Sequence, residues 1–394
     1  MRKYLTFVVA ALIFISLENR IYGQVTSNGS NVITTAVPFL TIAPESRGGA
    51  MGDAGVAISP DVNSLYWNPA KYAFIESEAG VSLSYTPWMR KLVGDMNLAY
   101  LVGYRKLDDQ QTVSGGMRYF SLGQITFRND AGESQGMQNP NEFAIDFGYT
   151  RLLSDKFSGS VALRYIHSDL GTSMTGTETL RPGNAFAADV SFYYQQELKS
   201  DRYKNLLSAG VDISNIGSKI SYGDGTKYFI PTNLRMGVAY SSEIDRSNKF
   251  TVSMDLNKLL VPTPKSVSLD QESSVVVGGN TSDKSVIGGI FSSFTDAPGG
   301  LKEELQEVTI GLGSEYLYNG QFALRGGYFY ENQNKGNRKY FTAGAGVKMN
   351  AFSLDFSYLI PTQQNHPLEN TLRFSLSFDF GQLASVAGLS KSHK

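Results

Sequence analysis

Leu372-Arg373-Phe374-Ser375-Leu376-Ser377-Phe378-Asp379-Phe380 is the stretch whose reading decides the fold. Large apolar side chains alternate with polar ones, and only an extended strand sends successive side chains to opposite faces. The design recurs upstream in Phe352-Ser353-Leu354-Asp355-Phe356-Ser357-Tyr358 and, near the middle, in Phe250-Thr251-Val252-Ser253-Met254-Asp255-Leu256. Similar dyads occupy 143–151, 157–167, 206–215 and 232–241. Glycine-diluted ones occupy 79–87, 96–105, 112–121, 184–195, 307–317, 321–330 and 340–349. That makes fourteen expected strands. Most run to about nine to twelve residues, longer than the ~5–6 of a soluble sandwich and close to the ~9–11 of a membrane barrel. The expected fold class is all-β, a closed 14-stranded antiparallel transmembrane β-barrel over 79–380.

Connectors support that choice. They alternate long and short along the chain, the longest being 258–306. Outer-membrane barrels keep short periplasmic turns and long external loops. Both termini are therefore expected in the periplasm, with the long loops at the cell surface. Asp146, Arg164, Asp212, Arg235, Asp255, Glu315, Arg325, Asp355, Arg373 and Asp379 all fall on the polar face of their strands. At the lipid midplane an Arg or Lys would cost ~2–4 kcal/mol. Inside, the expectation is a water-filled lumen of mixed charge in which these groups pair across strands.

Composition removes several function classes. Among 394 residues, 35 Lys+Arg face 36 Asp+Glu, a formal net charge of −1 that argues against nucleic acid as a partner. The absence of Cys excludes disulfides, Cys-ligated zinc and a thiol nucleophile. At the N-terminus Arg2 and Lys3 precede an apolar run from Leu5 to Leu17. A basic start and an apolar run shorter than the ~20 residues of a membrane helix read as a secretory signal peptide. It is assigned to 1–23, with Gly23 as its last residue.

Residues 24–78 do not alternate and are expected to form a plug or hatch inside the barrel. They contain Arg47-Gly48-Gly49-Ala50-Met51-Gly52-Asp53-Ala54-Gly55-Val56-Ala57 and Asn63-Ser64-Leu65-Tyr66-Trp67-Asn68-Pro69-Ala70. Small residues let the first piece pack its backbone against a wall. In the second, Trp67-Asn68-Pro69 reads as a turn in which Pro69 starts a short helix. The spacing Gly49, Gly52, Gly55 is not that of a phosphate-cradling loop, and no Lys-Ser/Thr follows it.

This block, followed by fourteen alternating segments, resembles the FadL-like outer-membrane barrels. Within them the chain is similar to the PorV (LptO) family of the Bacteroidetes type IX secretion system. The likeness extends to Leu259-Leu260-Val261-Pro262-Thr263-Pro264 and Gly299-Gly300-Leu301-Lys302-Glu303-Glu304-Leu305-Gln306. It implies a non-enzymatic shuttle for cargo proteins carrying a type IX C-terminal signal domain. Such a shuttle takes cargo from the Sov/SprA translocon to the PorU sortase, which acts with PorQ and PorZ. It also implies contact with outer-membrane lipid and lipopolysaccharide. Two alternatives stand beside it: a FadL-like transporter of hydrophobic compounds, and a lipopolysaccharide O-deacylation factor. A periplasmic tail, 381–394, follows Phe380, where many outer-membrane barrels end.

Catalytic chemistry finds little footing. His167, His366 and His393 are the histidines, and none belongs to an H-E-x-x-H pair. His167-Ser168-Asp169 are consecutive, so strand geometry turns neighbouring side chains apart. No G-x-S-x-G occurs. No catalytic, cofactor-binding or metal-ligating residue is assigned. The 258–306 connector, about 49 residues, exceeds the ~12–15 beyond which loops are usually functional or disordered. Ile287, Ile290, Phe291 and Phe294 suit one face of a short helix and are the expected partner-binding residues. Leu301 and Leu305, with Glu303, Glu304 and Glu307, read as a second short helix.

Overall fold

A computed structural model describes residues 32–381, apart from 129–131, 133, 172–173, 176–177, 180, 199–202, 224, 264–283 and 365. The expected signal peptide, the tail after Gly381 and His393 lie outside the described residues. The barrel strands are β1 (Ala79–Pro87), β2 (Asn97–Lys106), β3 (Gln111–Ser121), β4 (Asn141–Ser154), β5 (Phe157–Asp169), β6 (Gly183–Leu198) and β7 (Asn205–Gly217). They continue as β8 (Asn233–Glu243), β9 (Asn248–Leu259), β10 (Thr309–Tyr318), β11 (Phe322–Tyr330), β12 (Lys339–Met349), β13 (Phe352–Pro361) and β14 (Leu372–Asp379). Each pairs antiparallel with its neighbours, and β14 returns to β1, closing a barrel of fourteen strands. Closure removes the unpaired edge that hydrocarbon could not hydrogen-bond. Among the described residues no helix is long and apolar enough to cross a membrane. Two small hairpins, Ile125–Arg128 with Ser134–Gln138 and Met174–Thr175 with Glu178–Thr179, sit in long connectors and carry no clear alternation in the sequence.

Alternation sorts the faces as the chemistry demands. On β14, Phe374, Leu376 and Phe378 are exposed on the outer surface, while Arg373, Ser375 and Ser377 are buried inside. The closing seam shows the consequence. Leu83 stands opposite Leu376 on the outside, and inside Ser84 and Ser375 hydroxyls meet at 2.7 Å and Ser82 and Ser377 at 2.9 Å. A one-residue slip would exchange these faces, so the register is strongly specified.

The strand ends that flank 88–96, 122–140, 170–182, 218–232, 260–308, 331–338 and 362–371 lie at one rim, the long-connector rim. The strand ends that flank 107–110, 155–156, 199–204, 244–247, 319–321 and 350–351 lie at the other, the short-turn rim. The described chain starts at the long-connector rim: Ala36 N–H donates to Phe229 O at 2.9 Å, and Val37, Phe39 and Leu40 pack on Leu98, Phe120 and Ile166. From there it descends through the lumen to β1 at the short-turn rim, where Gly381 also lies. The expected mature N-terminus, residues 24–31, lies outside the described residues.

Charges of both signs line the lumen. The N-terminal segment occupies its middle, leaving a cavity of about 1350 Å³ at the short-turn side and one of about 440 Å³ at the long-connector side. Ser375, which alternation alone marks as a tolerant lumen position, instead accepts from Ser46 N–H at 2.9 Å. Face assignment is tested by charge placement. Phe374→Arg and Phe356→Arg should each cost ~2–4 kcal/mol and reduce the heat-modifiable folded fraction on gels, because both face lipid. Ser353→Arg, facing the larger cavity, should fold like the parent. Equal losses for both classes would overturn the register.

Candidate functional site

Two one-turn helices, Ser46–Gly49 and Ser64–Trp67, and a 3-10 helix, Pro69–Phe74, organise the plug. Glu45 caps the first by accepting from Arg47 N–H at 2.6 Å and Gly48 N–H at 2.7 Å. Asn68 caps the third by accepting from Ala70 N–H at 3.0 Å, and Pro69 occupies the first helical position, where no N–H is needed. Trp67 joins the two sequence motifs. Its Nε1 donates to Glu45 Oε1 at 2.7 Å, and its ring fills the space beside Gly48 and Gly55, where any Cβ would collide with it. Burial, with Asp61 adding to it, pushes the Glu45 carboxyl up to about 7 against the N–H donors. Burial likewise pulls Lys71 down to about 8; its Nζ donates to Gly55 O at 2.7 Å.

The wall is shaped to this backbone. A Cβ at Gly313 would sit 2.6 Å from Met51 Cβ, one at Gly344 2.5 Å from Ala50 Cβ, and one at Gly327 would overlap Gly52 N. Gly52 itself has φ +69°, which disfavours any side chain, and faces the β10 and β11 backbones. Polar groups fix the same stretch. Gly52 N–H donates to Thr342 Oγ1 at 2.9 Å, and that hydroxyl donates to Ala50 O at 2.8 Å. Asp255 Oδ2 accepts from Gly55 N–H at 2.7 Å and Val56 N–H at 2.8 Å. On the opposite wall Asn68 Nδ2 donates to Phe192 O at 2.9 Å, and Thr150 and Ser158 hydroxyls donate to Pro69 O and Ala70 O.

Charge completes the lock. Arg47 spends all five N–H donors: Glu315 at 3.0 Å twice, Asp61 at 2.8 Å, and Ser59 through its carbonyl at 3.0 Å and hydroxyl at 2.7 Å. Arg325 backs Glu315 at 2.7 Å and reaches Asp355 at 2.6 Å, so plug and wall share one ionic chain. Asp53 accepts from Tyr340 OH at 2.5 Å and lies 3.6 Å from Arg373. Elsewhere Asp146 pairs with Arg164 and Arg118, buried under the plug. Severing one partner of such a buried pair typically costs ~3–5 kcal/mol.

The long connector presents the opposite arrangement. Helix Val286–Ser292 turns Ile287 and Phe291 outward, 67% and 72% exposed, and Phe294 beyond its end is 44% exposed. Ile290, three residues after Ile287, is half-buried. Gly289 seats this helix on Phe229 and Pro262. Helix Leu301–Gln306 is inverted. Glu304 and Glu307 are buried against Lys258 at 2.9 and 2.6 Å, and Lys335 reaches Glu303 at 2.6 Å and Glu307 at 3.0 Å. Its leucines, Leu301 and Leu305, are 75% and 67% exposed.

His167 and Ser168 do not converge. Ser168 Oγ is buried and donates to Glu142 Oε1 at 2.7 Å, while His167 Nδ1 meets Asn184 Oδ1 at 2.8 Å at the outer surface. His366 Nδ1 accepts from Leu368 N–H at 3.1 Å and closes a turn. Sequence reasoning missed Glu45, Lys71, Thr342 and the wall glycines. The signal for the last was present as inward-facing Gly at period two in β10 and β12, with Gly327 inward between them in β11.

The fit is tested by a neighbouring pair. Gly327→Val should expel the plug, lowering stability by ~1–3 kcal/mol through overpacking and opening Arg47 and Lys71 to trypsin. Gly326→Val, facing outward, should leave the protease pattern unchanged. Identical patterns would show that the wall does not seat the plug.

Among solved structures the barrel is similar to the TodX deltaS2S3 mutant monoaromatic hydrocarbon channel, at 12% identity and TM-score 0.50, over 85% of this chain and 99% of that one. It is also similar to the Ralstonia pickettii toluene transporter TbuX (11% identity, TM-score 0.48, 86% and 97% covered). The Pseudomonas putida toluene transporter TodX gives 10% identity, TM-score 0.48, and 89% and 98% coverage. At such identity only the fold is shared. A comparison with curated proteins finds no match. The family model described as type IX secretion system protein PorV matches residues 25–266, more than half of the chain, spanning the plug and β1 to β9. The chain belongs to the PorV family of type IX secretion system proteins.

Proposed function

We propose that the chain is a non-enzymatic outer-membrane shuttle that binds the C-terminal signal domain of secreted cargo. It takes cargo from the Sov/SprA translocon and delivers it to the PorU attachment complex with PorQ and PorZ. The observation that carries this reading is the inverted helix Leu301–Gln306, whose charges are buried on the rim while its leucines face out. Ile287, Phe291 and Phe294 are exposed on the same connector, and exposed apolar residues with aromatic anchors are of the kind that marks partner surfaces. In this reading the long-connector rim is the cell-surface side and the short turns are periplasmic. Residues 1–23 are the removed leader, 24–78 the plug, 79–380 the barrel and 381–394 a periplasmic tail. Passage of hydrophobic compounds through the lumen would require the plug to leave Asp255, Thr342 and Glu315, which weighs against transport.

Phe291→Asp with Phe294→Asp tests the docking face. Heat-modifiable barrel assembly should stay at parental level, because both side chains point away from the barrel. Cargo secretion should fall at least about tenfold, the scale of losing one or two anchor residues. Normal assembly with normal secretion would remove the connector as the docking element.

A further inference from the structure

Outward-facing strand ends at the short-turn rim carry an aromatic girdle with one interruption. Phe157, Phe250, Tyr318, Phe322, Phe352 and Phe378 are exposed there, as expected where a barrel wall meets lipid headgroups. On β2 and β3 the girdle is replaced. The outward positions read Gly103 and Arg105 on β2, then Gln111, Val113 and Gly115 on β3. β4 follows with Tyr149 and Arg151. Arg105 stands opposite Val113 and Arg151 opposite Gln111, so the two arginines flank β3, about 12 Å apart at Cα by strand spacing and rise. Both are exposed, and neither makes an ion pair or side-chain hydrogen bond among the described residues. Asp108, in the turn joining β2 to β3, already accepts from Gln110 N–H at 2.8 Å, Gln111 N–H at 2.7 Å and Gln111 Nε2 at 2.6 Å. No other outward strand position at this rim carries a charge among the described residues.

Their depth says what they meet. Leu107 and Leu153 follow them towards the rim and are 58% and 56% exposed, so apolar surface continues on the water side of both guanidinium groups. A cation at that level is costly unless its stem carries it to the headgroup layer or an anion comes to it. On the membrane side of Arg105, Val81, Gly103, Gly115 and Phe147 form one outward row, low in the middle and higher at both ends. β2, β3 and β4 pair there without a register shift, so the row lies on a closed wall. Phosphate is the anion of the headgroup layer, and arginine meets it through charge-assisted, bidentate hydrogen bonds. We propose that Arg105 and Arg151 hold the phosphate of an anionic phospholipid, one of whose acyl chains lies over Gly103 and Gly115. The choice of phospholipid rests on the orientation proposed above, in which the short-turn rim faces the periplasm and its leaflet is phospholipid rather than lipopolysaccharide. It does not rest on the docking face.

The test uses the full-length protein in a maltoside detergent, with native mass spectrometry to count retained lipids. The probes are dioleoyl phosphatidylglycerol, dioleoyl phosphatidylcholine and monophosphoryl lipid A. The first two share chains and phosphate, but the choline compensates the charge. Phosphatidylglycerol should be retained at least about fivefold better than phosphatidylcholine, the scale of one cation at an anionic lipid surface. Arg105→Gln with Arg151→Gln should abolish the preference, and Arg105→Lys with Arg151→Lys should keep part of it. Lys249→Gln with Lys348→Gln removes the same charge from the short-turn cavity and should leave the preference at parental level. All three proteins should keep parental heat-modifiability. Equal retention of both phospholipids by the parent, a preference that survives the two glutamines, or an equal loss in the lysine pair would each overturn the proposal. Arginine-dependent retention of lipid A above phosphatidylglycerol would overturn it as well, by assigning the patch to a lipopolysaccharide leaflet. No cargo is present, so these outcomes are separate from the secretion result for Phe291 and Phe294.

Discussion

A backbone running within contact distance of the inner wall leaves that wall no room for side chains, and this close approach organises the molecule. Residues 50–56 lie on Gly313, Gly327 and Gly344, and their N–H groups must find acceptors that water cannot supply there. Thr342 and Asp255 supply them. A buried N–H without a partner would cost ~1–3 kcal/mol, so the wall residues and the plug sequence are mutually required. Trp67 then has one place to go, between Gly48 and Gly55, and its indole N–H reaches the carboxylate that caps the first helix. With the plug seated, the interior charges acquire partners across plug and wall, Arg47 bridging Asp61 and Glu315.

The barrel was legible because period-two alternation is a local property of the chain. Phe374 and Ser375 declare their faces without reference to anything distant, and long connectors alternate with short turns in the linear order. The site was legible only in part. Arg47, Gly52 and Trp67 stand out as an unusual block, but their partners lie hundreds of residues away, and nothing local says that Glu315 or Asp255 faces them. Glycine dilution in β10 to β12 weakened those segments as strands, when physically it records the track of the plug. Acidic residues at 303, 304 and 307 read as part of a short helix. Glu304 and Glu307 are buried because Lys258, from β9, and Lys335, from another connector, meet them at the rim.

These features divide the labour along the barrel axis. The outer surface satisfies lipid, the middle is filled, and in the proposed function recognition falls to the long-connector rim. There buried ion pairs hold Glu304 and Glu307, while Leu301 and Leu305 stay exposed. A helix that buries charge and exposes leucine gives up hydrophobic burial in the isolated chain. That arrangement is stable on a rim only because the ion pairs have good geometry and several partners each. Recognition by a prefixed surface loses less ordering entropy on binding than recognition by a loop that must fold.

The central claim, that partner contact occurs on the connector face and not through the filled lumen, can be tested by photo-crosslinking in cells. A photoreactive phenylalanine analogue would be placed in turn at Phe291, Leu305, and Leu317 in the cavity of the short-turn side. The account gives polypeptide adducts from Phe291 and Leu305 and none from Leu317. Cargo adducts from Leu317 with none from the connector would contradict it.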